Sequence, residues 1–375
     1  MIYVVRQGDT IDSIAMQFSI SAYTISYINQ IPAPYGLAVG QALLIPGNSA
    51  VQKSPAQFNG YAYPFISRYV LTETLQYLSA LNIFSYGFTA EGELIPPQLD
   101  DSWMIAAADE QGVAPILTLT PFGVDGNFNN NLITAVVNDP VSRTRLKDNL
   151  INVIMSKGFQ GVDIDFEFIK AEDRDAFTDF VRYIREAVNA LGFPVSVTLA
   201  PKVSADQPGL LYEGKDYPAL GAVSDYVLVM TYEWGYKYGP PLAVAPADRV
   251  RQVLDYAVSV IPPEKIQLGI SNYGYDWTLP YVKGQSAAVT IGSVEAVQLA
   301  VANGAQIMFD TVAQSPYFTY EKDGLSHIVW FEDVRSMQGK YDLIKEYSLR
   351  GGSVWTIMNL FRGMWVLAEE NFIIS

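Results

Sequence analysis

The stretch Gly161-Val162-Asp163-Ile164-Asp165-Phe166-Glu167-Phe168 constrains this chain more than any other. Its strict alternation predicts a β-strand with Asp163, Asp165 and Glu167 on one face and Val162, Ile164, Phe166 and Phe168 on the other. The apolar residues are large and β-branched or aromatic, as in a strand covered by helices, so this face belongs to a core. The acids then point into a cavity. Like charges at strand spacing repel, and at least one carboxyl is pushed to keep its proton. An acid that stays protonated near neutral pH can donate to a leaving group. The pattern allows a catalytic row, a metal site or an acidic surface face, and the bulk of the apolar face disfavours the last.

At 375 residues the chain has room for one barrel-sized domain and a small one. A formal charge of −15 makes nucleic acid, polyanions and acidic membranes poor partners and leaves a neutral polymer such as a glycan the easier ligand. Aromatic residues make up 13 % of the chain, which suits sugar-ring stacking as well as a core. There is no cysteine, so disulfides, thiolate metal sites and thiol nucleophiles are excluded. The single histidine, His327, rules out an HExxH or three-histidine zinc site. The acids of the opening strand are strung along a line rather than gathered round a point, and no second acidic cluster completes a coordination set; no metal and no cofactor are expected. The N-terminal residues from Met1 to Asp9 lack a basic segment followed by an apolar run, so no ordinary signal peptide is expected. No apolar run reaches membrane-spanning length, which predicts no membrane insertion. A monomer is expected.

Residues 1–48 read as a compact βααβ unit. Tyr3-Val4-Val5 is a short strand, and Asp9 or Thr10 caps a helix with Ile11, Ile14, Ala15 and Phe18 inward. A second helix fits Ala22 to Asn29, and Leu43-Leu44-Ile45 returns as a strand stopped by Pro46-Gly47. Residues 49–58 read as a linker. From residue 59 to 375 strand-like and helix-like segments alternate. The strands are expected at Tyr61–Phe65, Asn82–Tyr86, Ala114–Leu119, Val162–Phe168, Val195–Leu199, Tyr226–Met230, Ile266–Ile270 and Val354–Met358. The clearest helices are Trp103–Glu110, Val141–Lys157, Asp173–Leu191, Ala247–Val260 and Ser336–Ser348. Eight strands at this spacing predict an α/β fold, a (β/α)8 TIM barrel. A doubly wound sheet is the alternative, but the glycine-rich loop it would bring is missing. The interval 276–332 is too long for an ordinary loop; a helix at Val294–Ala302 and a hairpin around Asp323-Gly324 predict a small α+β insertion lobe.

In such a barrel, chemistry collects at the C-terminal ends of the strands. Glu167 lies nearest that mouth, Asp165 one pleat deeper and Asp163 below it, so position alone makes Glu167 the reacting acid, Asp165 its orienting partner and Asp163 a tuner. Met230 and Tyr232 close the sixth strand, with Trp234 following. Asn272, Tyr273, Tyr275 and Trp277, polar and stacking groups expected with Met230 and Trp234 to bind substrate, follow the seventh, and Trp355 in the eighth could floor a sugar site. Carboxylates among aromatics favour glycoside cleavage.

Two resemblances sharpen this. YVVRQGDTIDSIAMQF from Tyr3 to Phe18, Asn29, and GQALLIP from Gly40 to Pro46 resemble a LysM module, which implies binding to N-acetylglucosamine-containing polymers such as peptidoglycan or chitin. A single copy should bind weakly. The second domain is similar to glycoside hydrolase family 18, whose fourth-strand signature D-G-x-D-x-D-x-E appears here as Q-G-V-D-I-D-F-E, with Gln160 in place of the first acid. Met230 and Tyr232 match the family's sixth-strand pair, and Trp355 its eighth-strand tryptophan.

The resemblance implies a substrate-assisted retaining mechanism. Glu167 would protonate the glycosidic oxygen while the sugar's own N-acetyl carbonyl attacks. Asp165 would orient the acetamide, Tyr232 would donate to its carbonyl, and Asp163 would set protonation states. Phrases such as NGYAYPFIS, MTYEWGYKYGPP and NYGYDWTLPY resemble spore peptidoglycan hydrolases of endospore-forming bacteria that cleave cortex fragments bearing muramic-δ-lactam. That resemblance implies an N-acetylglucosaminidase made in the mother cell and held in the spore coat or at the cortex–coat boundary, or alternatively in the cell wall. A chitinase and a catalytically silent glycan-binding coat protein are the competing readings. An esterase or deacetylase is a third; a deacetylase generally wants metal-binding histidines that His327 alone does not supply.

Overall fold

The computed structural model describes residues 1–47 and 52–375. Eight parallel strands close on themselves: Ser54–Ala62, Ala80–Phe88, Ala114–Leu119, Val162–Ile164, Val195–Leu199, Tyr226–Val229, Ile266–Ser271 and Gly351–Trp355. Closure is completed by the eighth strand pairing with the first, Gly351 opposite Gln57 and Val354 opposite Gly60. Helices surround the strands, so the barrel is the TIM fold expected. Its outer core is continuous, with Val162 and Ile164 of strand four and Phe166 just beyond it fully buried beneath the helices. Phe166 packs on Phe88, Phe177 and Phe180, with ring centroids 5.3, 5.7 and 5.7 Å away.

Three strand boundaries differ from expectation. The first strand starts at Ser54, so residues 54–58, expected as linker, are barrel: Phe58 is fully buried and the Gln57 N–H bonds to Arg350 O. The rest of that linker includes residues 49–51, which lie outside the described residues. The eighth strand also starts early, at Gly351, because glycine there admits the first strand; a Cβ on Gly351 would sit 1.8 Å from Gln57 O. Strand four stops at Ile164 instead of Phe168, since the barrel flares and only the Asp165 N–H still reaches a neighbour, Leu119 O at 2.9 Å. The helices at Arg68–Leu75, Asn131–Asn138, Tyr217–Val223 and Arg362–Asn371 are only about two or three turns long and do not stand out in the sequence.

After strand seven the chain builds a five-stranded antiparallel sheet from Gly274–Thr278, Val289–Ile291, Met308–Asp310, Ser315–Lys322 and Leu325–Trp330, with the helix Ser293–Ala302 against it. The hairpin turns at Asp323-Gly324, both with positive φ, as a tight two-residue connection requires. No helix among the described residues is long and apolar enough to cross a membrane.

The N-terminal βααβ unit pairs Ile2 with Leu44 across two short strands and has its own core of Val5, Ile11, Ile14, Ile25 and Leu43. It is not tethered loosely. Ile28 and Leu44 join the barrel core, and Ala38 joins that of the lobe. Arg362, at the start of the last helix, clamps the junction. Its guanidinium donates to Tyr27 O at 2.9 Å and Glu73 Oε2 at 2.8 Å, and lies 3.9 Å over the Tyr27 ring. The Arg362 N–H donates to Gln30 Oε1 at 2.7 Å. On the other side Ile307 N–H bonds Val39 O at 2.9 Å. Arg362→Ala leaves Glu73 and the Tyr27 carbonyl without their partner, and is expected to destabilise the protein by about 2–4 kcal/mol. Urea unfolding measures it; an unchanged midpoint would mean that the clamp contributes little.

Candidate active site

The interior of the barrel is layered by polarity. At the bottom Asn59, Asn82, Gln267 and Tyr226 form a buried amide and hydroxyl layer, with Gln267 Nε2 donating to Asn59 Oδ1 at 3.0 Å. Asp163 lies above it with no exposed surface, accepting from Tyr61 Oη and Ser196 Oγ, each at 2.7 Å. Asp165 is next, accepting from Thr198 Oγ1 at 2.6 Å. Glu167 is half-buried at the mouth and, among the described residues, receives no hydrogen bond. Strand five supplies its partners by the same alternation as strand four: Ser196 and Thr198 point inward while Val195, Val197 and Leu199 pack outward.

This gradient sets the proton affinities. Burial, and then the Asp165 charge, push Asp163 up to about 6, although Ser196, Tyr61 and Asn82 oppose the change. Burial also raises Asp165, against the hydroxyl of Thr198 and the charge of Lys215. Glu167 is pushed up to about 7, first by burial and then by Asp165. The site can therefore keep a proton on its outermost carboxyl near neutral pH, beside a second carboxyl that is held in place.

Aromatic side chains wall the mouth. Trp355 sits between two clusters, 4.9 Å from Phe84 and 5.6 Å from Tyr61 on one side, with Tyr232 and Tyr273 on the other. It remains partly exposed, as a floor for a ring would. Met230 and Tyr232 are also half-buried there, and Trp234 packs at the edge. Tyr273 and Tyr275 both turn their hydroxyls to Glu233, Tyr275 at 2.9 Å. Asn272 is spent on structure: its Nδ2 donates to Thr356 O at 3.0 Å and Asn359 O at 2.9 Å, bracing the loop after strand eight. Trp277, expected to contact substrate, is only 1 % exposed and donates its indole N–H to Gly239 O at 2.9 Å. It has no free face for a ligand, because residues 274–278 form the first strand of the lobe instead of a loop.

Gln160 lies at the entrance of strand four, with Nε2 3.4 Å from Asp109 Oδ1, below the acids and outside their cavity. His327 pairs with Asp276 at 3.0 Å inside the lobe. Among the described residues no three metal-ligating side chains converge. The sequence reading missed Tyr61, Ser196, Thr198, Lys215 and Glu233. The inward alternation of Ser196 and Thr198 was a legible signal for two of them; the others depend on distant packing.

A model of glycosyl hydrolases family 18 matches residues 121–359, and a LysM domain model matches residues 3–46. The chain is 37 % identical over 426 residues to the cortical fragment-lytic enzyme of Bacillus subtilis, covering 99 % of this chain and 98 % of that protein. The spore cortex-lytic enzyme SleL of Bacillus megaterium superposes with a TM-score of 0.94 at 32 % identity, covering 100 % of this chain and 98 % of that one. A chitinase from Chromobacterium violaceum aligns with a TM-score of 0.78 at 27 % identity over 84 % of this chain and 98 % of its own.

The raised carboxyls also affect stability. Glu167 binds its proton more tightly folded than unfolded, so the folded state loses stability as pH rises from about 4.5 to about 7. Glu167→Gln removes that cost, and should stabilise the protein by about 1–3 kcal/mol at pH 8 and by little at pH 4. Urea midpoints at the two pH values test it; a variant less stable at both would contradict the account.

Proposed function

The chain belongs to glycoside hydrolase family 18 and carries an N-terminal LysM domain, and from that membership we propose that it cleaves β-1,4 bonds after N-acetylglucosamine in spore cortex peptidoglycan, on fragments bearing muramic-δ-lactam. The observation that carries this reading is the graded acid row, in which Glu167, alone of the three acids, lies at the mouth with no hydrogen-bond partner among the described residues and is pushed up to about 7.

Glu167 gives its proton to the glycosidic oxygen as the bond to the anomeric carbon breaks. The carbonyl oxygen of the sugar's own acetamide attacks that carbon from the opposite face and closes an oxazolinium ring. Asp165 accepts the acetamide N–H and offsets the positive charge that develops there. Tyr232 donates to the carbonyl oxygen and holds it in line. Asp163, anchored by Tyr61 and Ser196, keeps Asp165 oriented and adjusts how the row shares its protons. Glu167, now a carboxylate, takes a proton from the water that opens the ring, so the configuration is retained and Glu167 ends as it began. Trp355 supports the sugar face, with Met230, Trp234, Tyr273 and Tyr275 shaping the walls. The aromatic wall and the net charge of −15 both suit an uncharged N-acetylated glycan.

The similarity to enzymes named for the spore cortex supports a spore-associated location; we assign it to the coat or the cortex–coat boundary. The LysM domain, fixed to the barrel by Arg362, would hold the active site near insoluble glycan. The likeness to a chitinase gives a second reading, the same reaction on chitin.

Glu167→Gln should lower turnover of cortex fragments by at least about 1000-fold, and Asp165→Asn by a similar order, with folding intact. Mass spectrometry of digested cortex peptidoglycan should show new N-acetylglucosamine reducing ends. Muramic reducing ends would refute the specificity, cleavage of chitin in preference to cortex would select the second reading, and near wild-type turnover by Glu167→Gln would remove the acid assignment.

A further inference from the structure

Strands four and five separate at Asp165, one residue past the end of their ladder. Their ladder runs from Val162 opposite Val195 to Ile164 opposite Val197 and stops. On the far side of strand five the Leu199 carbonyl bonds Met230 N–H at 2.9 Å, so the Thr198 carbonyl points back into the opening seam. Its partner there is Lys215 Nζ at 2.6 Å. Lys215 has no exposed surface. It comes from the segment between strand five and the helix Tyr217–Val223, and Gly214 beside it packs so closely on Ile169 O that a Cβ would sit 2.3 Å away. The same Thr198 places its hydroxyl on Asp165, so cation and acid are joined through one residue.

The groups around this ammonium are few. The charges of Asp165, Glu167 and Asp163 act on it without a direct ion pair among the described residues, and the Phe177 ring lies 5.4 Å away on the helix Arg174–Asn189. Lys202, also buried, turns its own ammonium to the carbonyls of Ala205 and Lys215 at 2.9 and 3.0 Å. Asp216 is engaged by Arg174. From the strand-six side, Tyr232 and Glu233 face the row. Lys215 is the one cation acting on Asp165 and Glu167 among the described residues. A lysine sealed from water costs several kcal/mol unless negative charge offsets it. One carbonyl does not.

We propose that Lys215 is a positioning residue for the reaction: its ammonium, sealed in the seam between strands four and five, is the counter-charge that allows the acid row to ionise without water. It rests on the proposed acid role of Glu167, whose proton must leave during the first step. A nearby cation stabilises the carboxylate left behind and keeps the affinity of the row for protons from rising beyond the working pH.

Lys215→Met keeps the length and volume of the side chain and removes the charge. The pH dependence of kcat/KM on soluble cortex fragments should move upward on both limbs by about one pH unit. At pH 6 kcat should fall about fivefold with KM nearly unchanged. A uniform loss of activity with the wild-type profile would reduce Lys215 to a cap for the Thr198 carbonyl and overturn the proposal. Should Lys215→Met fail to fold, the 15N signal of the Lys215 Nζ in the wild-type protein decides instead. An ammonium at pH 6 that titrates near pH 8, together with the 13C carboxyl signals of the row, supports the counter-charge, whereas a neutral amine at pH 6 overturns it. An active Glu167→Gln variant would defeat the acid assignment itself, and an unshifted Lys215→Met profile beside an inactive Glu167→Gln would defeat only this inference.

Discussion

Three carboxyls in one column inside a barrel are possible only because their desolvation is met unequally. Asp163, the deepest, has two hydroxyl donors; Asp165 has one; Glu167 has none among the described residues. Charge is therefore favoured at the bottom of the column and a proton at the top. The buried amides below, the hydroxyls of strand five and the lysine in the seam follow from that need. Outside the barrel, Phe166 is held between Phe88 at the end of strand two and Phe177 and Phe180 of the helix Arg174–Asn189, so the acids cannot turn outward to reach water.

The same reasoning links the two ends of the chain. Arg362, in the last helix, is buried against the N-terminal domain, where a guanidinium needs several acceptors, and it finds the Tyr27 carbonyl and Glu73. Val39 and Ala38 tie the domain to the lobe as well. The LysM domain thus packs directly on the barrel and the lobe, so that any glycan it held would meet the barrel in a set geometry.

Much of this was legible from residues alone. Alternation in 161–168 identified the acids and their depth order, and regular spacing of apolar segments gave the barrel. The extent of the strands was less legible. Strand eight, expected from Val354, opens at Gly351, because the close approach of strand one there requires a residue without a side chain. Trp277 looked like a sugar platform and is core, since a five-stranded lobe forms over it. Lys215 and Glu233 carry no local pattern. What makes them part of the site is the splaying of strands four and five and the fold of the lobe, which bring residues from distant segments to one cavity.

The central claim is that Glu167 only moves a proton and that water reaches the anomeric carbon second, after a first displacement by the sugar's own acetamide. Stereochemistry tests it most directly. Proton NMR of the first N-acetylglucosamine reducing ends released from soluble cortex fragments, recorded before mutarotation, should show the β-anomer, the outcome of two inversions at the anomeric carbon. Release of the α-anomer first would mean a single displacement by water, and would contradict the account.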